Sequence, residues 1–501
     1  MSTALSRLAP TLLLVPALLL VPALLLVPAL LLAVAAPAPS SPPPAGAEES
    51  SVAGIRSLAR RLSGELLQRG DTMAALEELC RVAPRRLSGS ASADRAVEWA
   101  ERTMRELGLE NVRREAVTVP RWVRGERERL VVVEPSLYAG QELPILALGG
   151  SIGTPTRGIT AEVVRVTGFP ELDALGREGA EGRIVLYDTP MQSALLDPFA
   201  AYGQAVQHRS NGAANAAALG AVASITRSMT TRVDDHPHTG GMRYREGVER
   251  IPAVALSTAA TDRVSSWLAK GERVVVRLEL DCRTEEPVES ANVIGEVIGR
   301  ELPEEIVLVG GHLDSWDVGP GAHDDGAGSC HALIAAATLK RLDLRPRRTI
   351  RVVLFMNEEN GLAGGRDYHA RVKDELETHV MALESDRGGF APRGFSTAVE
   401  GKVREDLAAL VEGLSELGAG RLFMGGGGAD ISPLARDGVL AVGFVPDPSR
   451  YFDFHHTTID SPENVNPREL ELGTAAIATL IHTVADLEAR IDGKPPLTDR
   501  D

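Results

Sequence analysis

From residue 290 onward the chain alternates between short, continuously apolar runs and longer stretches in which apolar residues recur every three or four positions. The apolar runs at 305–310, 349–356, 379–384 and 439–445 read as strands, and the periodic stretches at 327–341, 361–373, 404–417 and 467–491 as helices. Strands apolar on both faces, set between helices, predict a largely parallel sheet covered on both sides. The same texture opens the fold: helices are expected at 52–68, 72–82 and 91–107, the last stopped by Gly108, before an alternating strand at 112–119. Between 128 and 284 the pattern changes. Short strand candidates at 129–133, 162–166, 183–187, 221–225, 253–256 and 273–280 are separated by Gly- and Pro-containing turns, with one small-residue helix at 212–219. The predicted fold class is α/β: a mixed, mostly parallel central sheet flanked by helices, with a smaller β-rich domain inserted at 128–284. The outer domain takes 51–127 and 285–492, and 493–501 is a tail.

The first 35 residues follow a different rule. Arg7 precedes an apolar run from Leu12 to Ala35 in which LLLVPA occurs three times, at 12–17, 18–23 and 24–29. Ala33-Val34-Ala35 fits a signal-peptidase site, so a cleaved export signal is favoured over an uncleaved anchor, and the folded part is expected to be secreted or periplasmic. Contact with a membrane is expected only if that segment stays attached. Residues 36–50, rich in Pro, Ala and Ser, read as a linker.

Composition narrows the function. The 53 basic and 69 acidic side chains give a formal charge of −16 without a basic stretch, which argues against nucleic acid as a partner. Three cysteines, Cys80, Cys282 and Cys330, lack metal-ligand spacing and read as buried small residues.

The candidate chemistry stands where the apolar strands end. Glu358 and Glu359 lie side by side just past the 349–356 strand. Paired carboxylates at the end of a buried strand are costly to ionise unless a cation compensates them. Four further potential metal ligands stand at strand ends or in adjoining loops: His312, Asp324, Asp386 and His456. Asp314, two residues after His312, is placed to accept a hydrogen bond from that histidine's second ring nitrogen. A Gly-rich return brings Asp324 back toward the same point, and one carboxylate can bridge two metals. Adjacent glutamates point in different directions, so one can ligate while its neighbour accepts a proton from water. Mixed His and carboxylate ligands without thiolate suit a catalytic zinc site, and two such ions can activate water against a carbonyl. Other histidines carry less: His369 and His379 read as exposed residues without a role, His331 as a helix residue of the core or surface, and His323, beside Asp324, as a weaker candidate to line the cleft.

At these residues the chain resembles the zinc aminopeptidase and glutamate carboxypeptidase superfamily. The resemblance rests on PRRLSG at 84–89, GSIGTP at 150–155, GITAEV at 158–163, PHTG at 237–240, GHLDSWDVG at 311–319, ESD at 384–386 and YFDFHH at 451–456. It implies a zinc exopeptidase fold with a protease-associated-like insertion. It further implies two zinc ions, one held by His312 and Asp386, the other by Glu359 and His456, with Asp324 between them. Glu358 is then the general base and Asp314 the orienter of His312. The choice of His456 over His455 follows the family's placing of the ligand four residues before an acid, here Asp460. The implied substrates are dipeptides or small peptides with free termini, and the implied assembly is a homodimer. A zinc aminopeptidase, an amidohydrolase of acylated amino acids and a non-catalytic binding protein on the same scaffold are the alternatives. Three features depart from the family: Arg387 beside Asp386, His323 beside Asp324, and the Gly-rich 424–430 stretch, which suggests a mobile rim.

Overall fold

The structure, a computed structural model, describes residues 51–497. The signal or anchor at 1–35, the linker at 36–50 and the last four residues lie outside them. Among the described residues no helix is long and apolar enough to cross a membrane.

An eight-stranded sheet forms the outer domain, in the order Glu110–Val123, Arg283–Val297, Arg348–Phe355, Leu302–His312, His379–Glu384, Ala441–Pro446, Pro392–Thr397, Arg421–Met424. Four central strands, Arg348–Phe355, Leu302–His312, His379–Glu384 and Ala441–Pro446, run parallel, and antiparallel pairings flank them. Alternate residues feed opposite faces, as the pleat requires. Ile350, Val352, Leu354, Val307 and Val309 pack into the larger core, where Ala327–Arg341 and Pro467–Asp486 also bury their faces. Val353, Phe355, Ile306 and Leu308 point the other way, toward Tyr368 and Val372 of the Ala363–Val372 helix.

Local chemistry sets the boundaries of the last helix. Asn466 caps it by accepting from Arg468 N and Glu469 N, and Pro467 supplies a residue that needs no N–H partner there. The helix ends at Asp486 rather than at 491. The chain leaves it to bring Arg490 onto the fully buried Glu305, which Arg348 also grips at 2.6 Å.

The long ribbon Glu110–Val123 with Arg283–Val297, paired antiparallel along its length, carries the chain out to residues 128–280 and back. There a second eight-stranded sheet forms around the parallel strands Ile159–Val166, Ile184–Tyr187, Ala223–Arg227 and Ala253–Leu256. Three helices cover it: Phe169–Ala180, Pro198–Ala218 and Thr258–Ala269. The pattern predicted only part of the second. From residue 211 on that helix is made of Ala, Gly and Asn rather than an apolar stripe, and it packs there by close approach: a Cβ at Gly212 would lie 2.8 Å from the Tyr187 ring. All three cysteines are free and buried.

Candidate active site

The parallel strands end at one edge of the sheet, where loops of such folds hold ligands. His312 is the last residue of its strand, Glu358 and Glu359 follow Arg348–Phe355, and Asp386 follows His379–Glu384. Asp324 arrives on the buried turn before helix Ala327–Arg341, and His456 on the loop after Tyr451–Phe454.

The structure brings these side chains together. His312 Nε2 lies 3.2 Å from Asp324 Oδ1 and 3.4 Å from Asp386 Oδ1. His456 Nε2 lies 3.1 Å from Asp324 Oδ2 and 3.1 Å from Glu359 Oε2. Asp324 thus faces one His–carboxylate pair with each oxygen. His455 stacks on His456 at 3.4 Å and reaches Asp324 Oδ2 only at 3.8 Å.

Burial makes the charge of this cluster expensive, and protons respond to it. Burial pushes the Glu358 carboxyl well above its usual range, aided by Asp386 and Glu359; burial and Asp324 push Glu359 to about 7. Burial opposes a charged imidazole, but Glu359 and Asp324 outweigh it and raise His456 to about 10. Burial likewise opposes the Asp324 carboxylate, yet His312 and His456 hold it well below the usual range. A cation entering the cluster displaces these protons, so its affinity rises with pH. The donor set fits divalent zinc: His312 Nε2 and Asp324 Oδ2 are buried with close ion-pair contacts but no well-aligned hydrogen bond, and three overlapping groups of ligand atoms converge within 4.8 Å.

Asp314 corrects its expected role. The ring nitrogen His312 Nδ1 meets the backbone carbonyl of Asp314 at 3.1 Å, while the carboxylate stands at 3.8 Å. Oδ1 of that carboxylate accepts instead from Asn357 N at 2.8 Å and Glu358 N at 3.0 Å. Asp314 therefore fixes His312 through its main chain and Glu358 through its side chain.

Asp325, which the pattern did not single out, and Asp460, named only as the acid after the paired histidines, complete the frame. Asp325 accepts from His312 N at 3.0 Å and Gly328 N at 2.9 Å. Asp460 accepts from His323 N at 2.7 Å and Asp324 N at 3.1 Å, holding the Asp324 turn. The adjacency of Asp325 to Asp324, and of Asp460 to the paired histidines, was the available signal.

His323 does not line the cleft. It is buried flat against Phe390 at 4.1 Å and accepts from Gly389 N at its Nδ1. His331 bonds Ser385 in the core, His379 bonds Tyr368, and His369 bonds Asp437. Arg387 lies over the Phe199 ring at 5.0 Å. The second half of the Gly-rich stretch is packed: a Cβ on Gly428 would fall 2.3 Å from the Glu384 carboxylate, and one on Gly427 2.8 Å from Ile431, while Gly426 stands open.

A cleft of about 730 Å³ opens over the cluster. Asp324, Glu358, Glu359, Asp386 and His456 form its floor, and Phe199, Tyr202 and Arg243 form a wall from the 128–280 segment.

Comparison with known proteins places this geometry. A family model described as peptidase family M28 matches residues 292–481, which contain every candidate ligand and Glu358. Carboxypeptidase Q of Bos taurus is 38% identical over 403 residues, 80% of this chain and 83% of that protein. The chain belongs to peptidase family M28. Carboxypeptidase Q of Homo sapiens is 37% identical over the same share. The peptidase M28 precursor from Shewanella amazonensis SB2B superposes on this M28 peptidase with a TM-score of 0.84 at 36% identity, covering 89% of this chain and 99% of that one. BSAP, a zinc aminopeptidase from Bacillus subtilis, shares the fold with a TM-score of 0.60 at 21% identity, over 84% of this chain and 97% of its own.

Proposed function

We propose that this M28 peptidase is an exported dinuclear zinc exopeptidase that hydrolyses dipeptides or other short peptides with free termini. The observation that carries the reading is Asp324, each of whose oxygens faces a separate His–carboxylate pair. His312, Asp386 and Asp324 would hold one ion, and His456, Glu359 and Asp324 the other. When bound, such ions polarise a carbonyl and acidify water. Glu358, on the cleft floor and anchored through its N–H by Asp314, takes the proton from the attacking water. It then gives that proton to the amine leaving the scissile C–N bond, so one water is consumed and an acid and an amine are released.

The cleft's volume suits a small ligand. Two cleft-lining guanidiniums, Arg243 and Arg366, have no hydrogen bond or ion pair of their own among the described residues. Arg243 lies two residues after Gly241, where an added Cβ would stand 3.6 Å from the Glu359 carbonyl, and Arg366 sits in the helix just after the Glu358–Glu359 loop. They supply charge for a substrate carboxylate. The names of the carboxypeptidase Q relatives agree with that direction. The apolar N-terminal run supports export, and the homodimer rests on the family resemblance.

The test is one dipeptide offered to the zinc-loaded protein free, N-acetylated and C-amidated. The proposal expects cleavage of the free form and little of the amide. Equal cleavage of the amide makes the enzyme an aminopeptidase. Cleavage of the acetylated form instead makes it a carboxypeptidase or a hydrolase of acylated amino acids.

A further inference from the structure

The metal position formed by Glu359 and His456 is built by the outer domain and the 128–280 segment together, whereas the His312 position is held inside the outer domain alone. His312 is fixed by the carbonyl of Asp314 and the carboxylate of Asp325, both local to its own strand and turn. His456 is fixed by Thr239, from the PHTG stretch 217 positions earlier in the chain. The Thr239 carbonyl meets His456 Nδ1 at 3.2 Å, and Thr239 N donates to the His456 carbonyl at 3.0 Å. A carbonyl only accepts, so Nδ1 carries the proton and Nε2 is turned toward Asp324 and Glu359.

Thr239 is itself pinned. Its hydroxyl donates to the Ala147 carbonyl at 2.7 Å and accepts from Arg124 Nη2 at 3.4 Å. Arg124 also donates to the Ala147 carbonyl at 2.7 Å, so one guanidinium holds both ends of that contact. The same guanidinium grips Asp317, with Nη2 at 2.6 Å from Oδ1 and Nε at 3.0 Å from Oδ2, and meets Glu128 at 3.0 Å. Asp317 belongs to the GHLDSWDVG stretch of the outer domain. Its neighbour Trp316 donates its backbone N–H to Glu359 Oε1 at 3.2 Å. The Trp316 ring fits over Gly149, where a Cβ would fall 1.9 Å from it. The ends of one ion-paired step thus reach both Glu359 and His456.

We infer that Arg124 and Asp317 clamp the 128–280 segment onto the outer domain so that Thr239 and Trp316 aim His456 and Glu359, making this segment a positioning part of one metal site only. The inference rests on the two-zinc reading above, and its test separates the two. Zinc retention is followed by chelator competition in the full chain for the parent, Arg124→Lys, which keeps the charge but loses the fork, and Thr239→Val, which loses only the hydroxyl. Arg227→Lys, whose ion pairs run to Asp188 and Asp262, is the control for generic loss of a buried pair.

The clamp predicts two ions in the parent. In Arg124→Lys one of the two loosens by about 10- to 100-fold, the scale on which groups behind metal ligands act. Thr239→Val moves the same ion by less, and Arg227→Lys moves neither. Equal loosening of both ions, or an unchanged profile in the two clamp variants, overturns the inference while leaving two-zinc binding intact. A parent that binds fewer than two ions overturns the two-zinc reading itself.

Discussion

Glu358→Gln keeps its zinc and loses turnover by about 10²- to 10⁴-fold, the usual contribution of a positioned general base. The substitution is nearly isosteric, and its anchor survives because Asp314 holds residue 358 through the backbone N–H rather than the side chain. Glu358 makes no close contact with His312 or His456 of the kind Asp324, Asp386 and Glu359 make, so the ligand set is intact in the variant. What is lost is the basic oxygen. An amide can neither take the proton from water nor return it to the departing amine. The fall belongs in kcat with KM little changed, because the missing interaction is made in the transition state. Steady-state kinetics alongside zinc content decide it: near-parent kcat in a zinc-loaded variant removes Glu358 from the mechanism.

Asp324→Ala has the larger effect on the metals. In the folded protein this one carboxylate separates two imidazoles, with His312 Nε2 at 3.2 Å on one side and His456 Nε2 at 3.1 Å on the other. Its removal takes a charged ligand from both positions and leaves two histidines facing a smaller negative charge. Both ions are expected to weaken by well over about 100-fold, beyond the 10- to 100-fold seen when a group merely behind a ligand is lost. Peptide hydrolysis falls with them. Two zinc ions retained through dialysis in the folded variant would show that Asp324 does not join the positions.

The contrast between these residues and the rest of the frame shows what the sequence could carry. His312, Glu358-Glu359 and Asp386 were legible because each follows a continuously apolar strand, and ionisable side chains there need a physical reason to exist. The parallel core of the outer sheet was legible for the same reason. Thr239 was not, because its contact with His456 is made by main-chain atoms, which have no residue type to read. Asp314 was recognised as part of the site, but the aim of its carboxylate was not: spacing placed it near His312, whereas two backbone N–H groups after the next strand turned it toward Glu358. His323 looked like a cleft residue from its place beside Asp324, yet the turn buries it against Phe390 and Phe454. In the inserted segment the Pro198–Ala218 helix was only partly legible, because its Ala- and Gly-rich half packs by close approach and leaves no apolar stripe; Thr258–Ala269, with Ala260, Val264 and Trp267 buried on one face, did carry a stripe and was missed.

The central claim is that peptide hydrolysis here needs both positions filled. Its most direct test is the rate of cleavage of one free dipeptide by metal-stripped protein from residue 50 onward, as zinc is added in measured equivalents. The account predicts no activity without metal and a rate that reaches its plateau when two equivalents are bound. A plateau reached with one equivalent bound, full activity in the stripped protein, or no cleavage with two equivalents bound contradicts it.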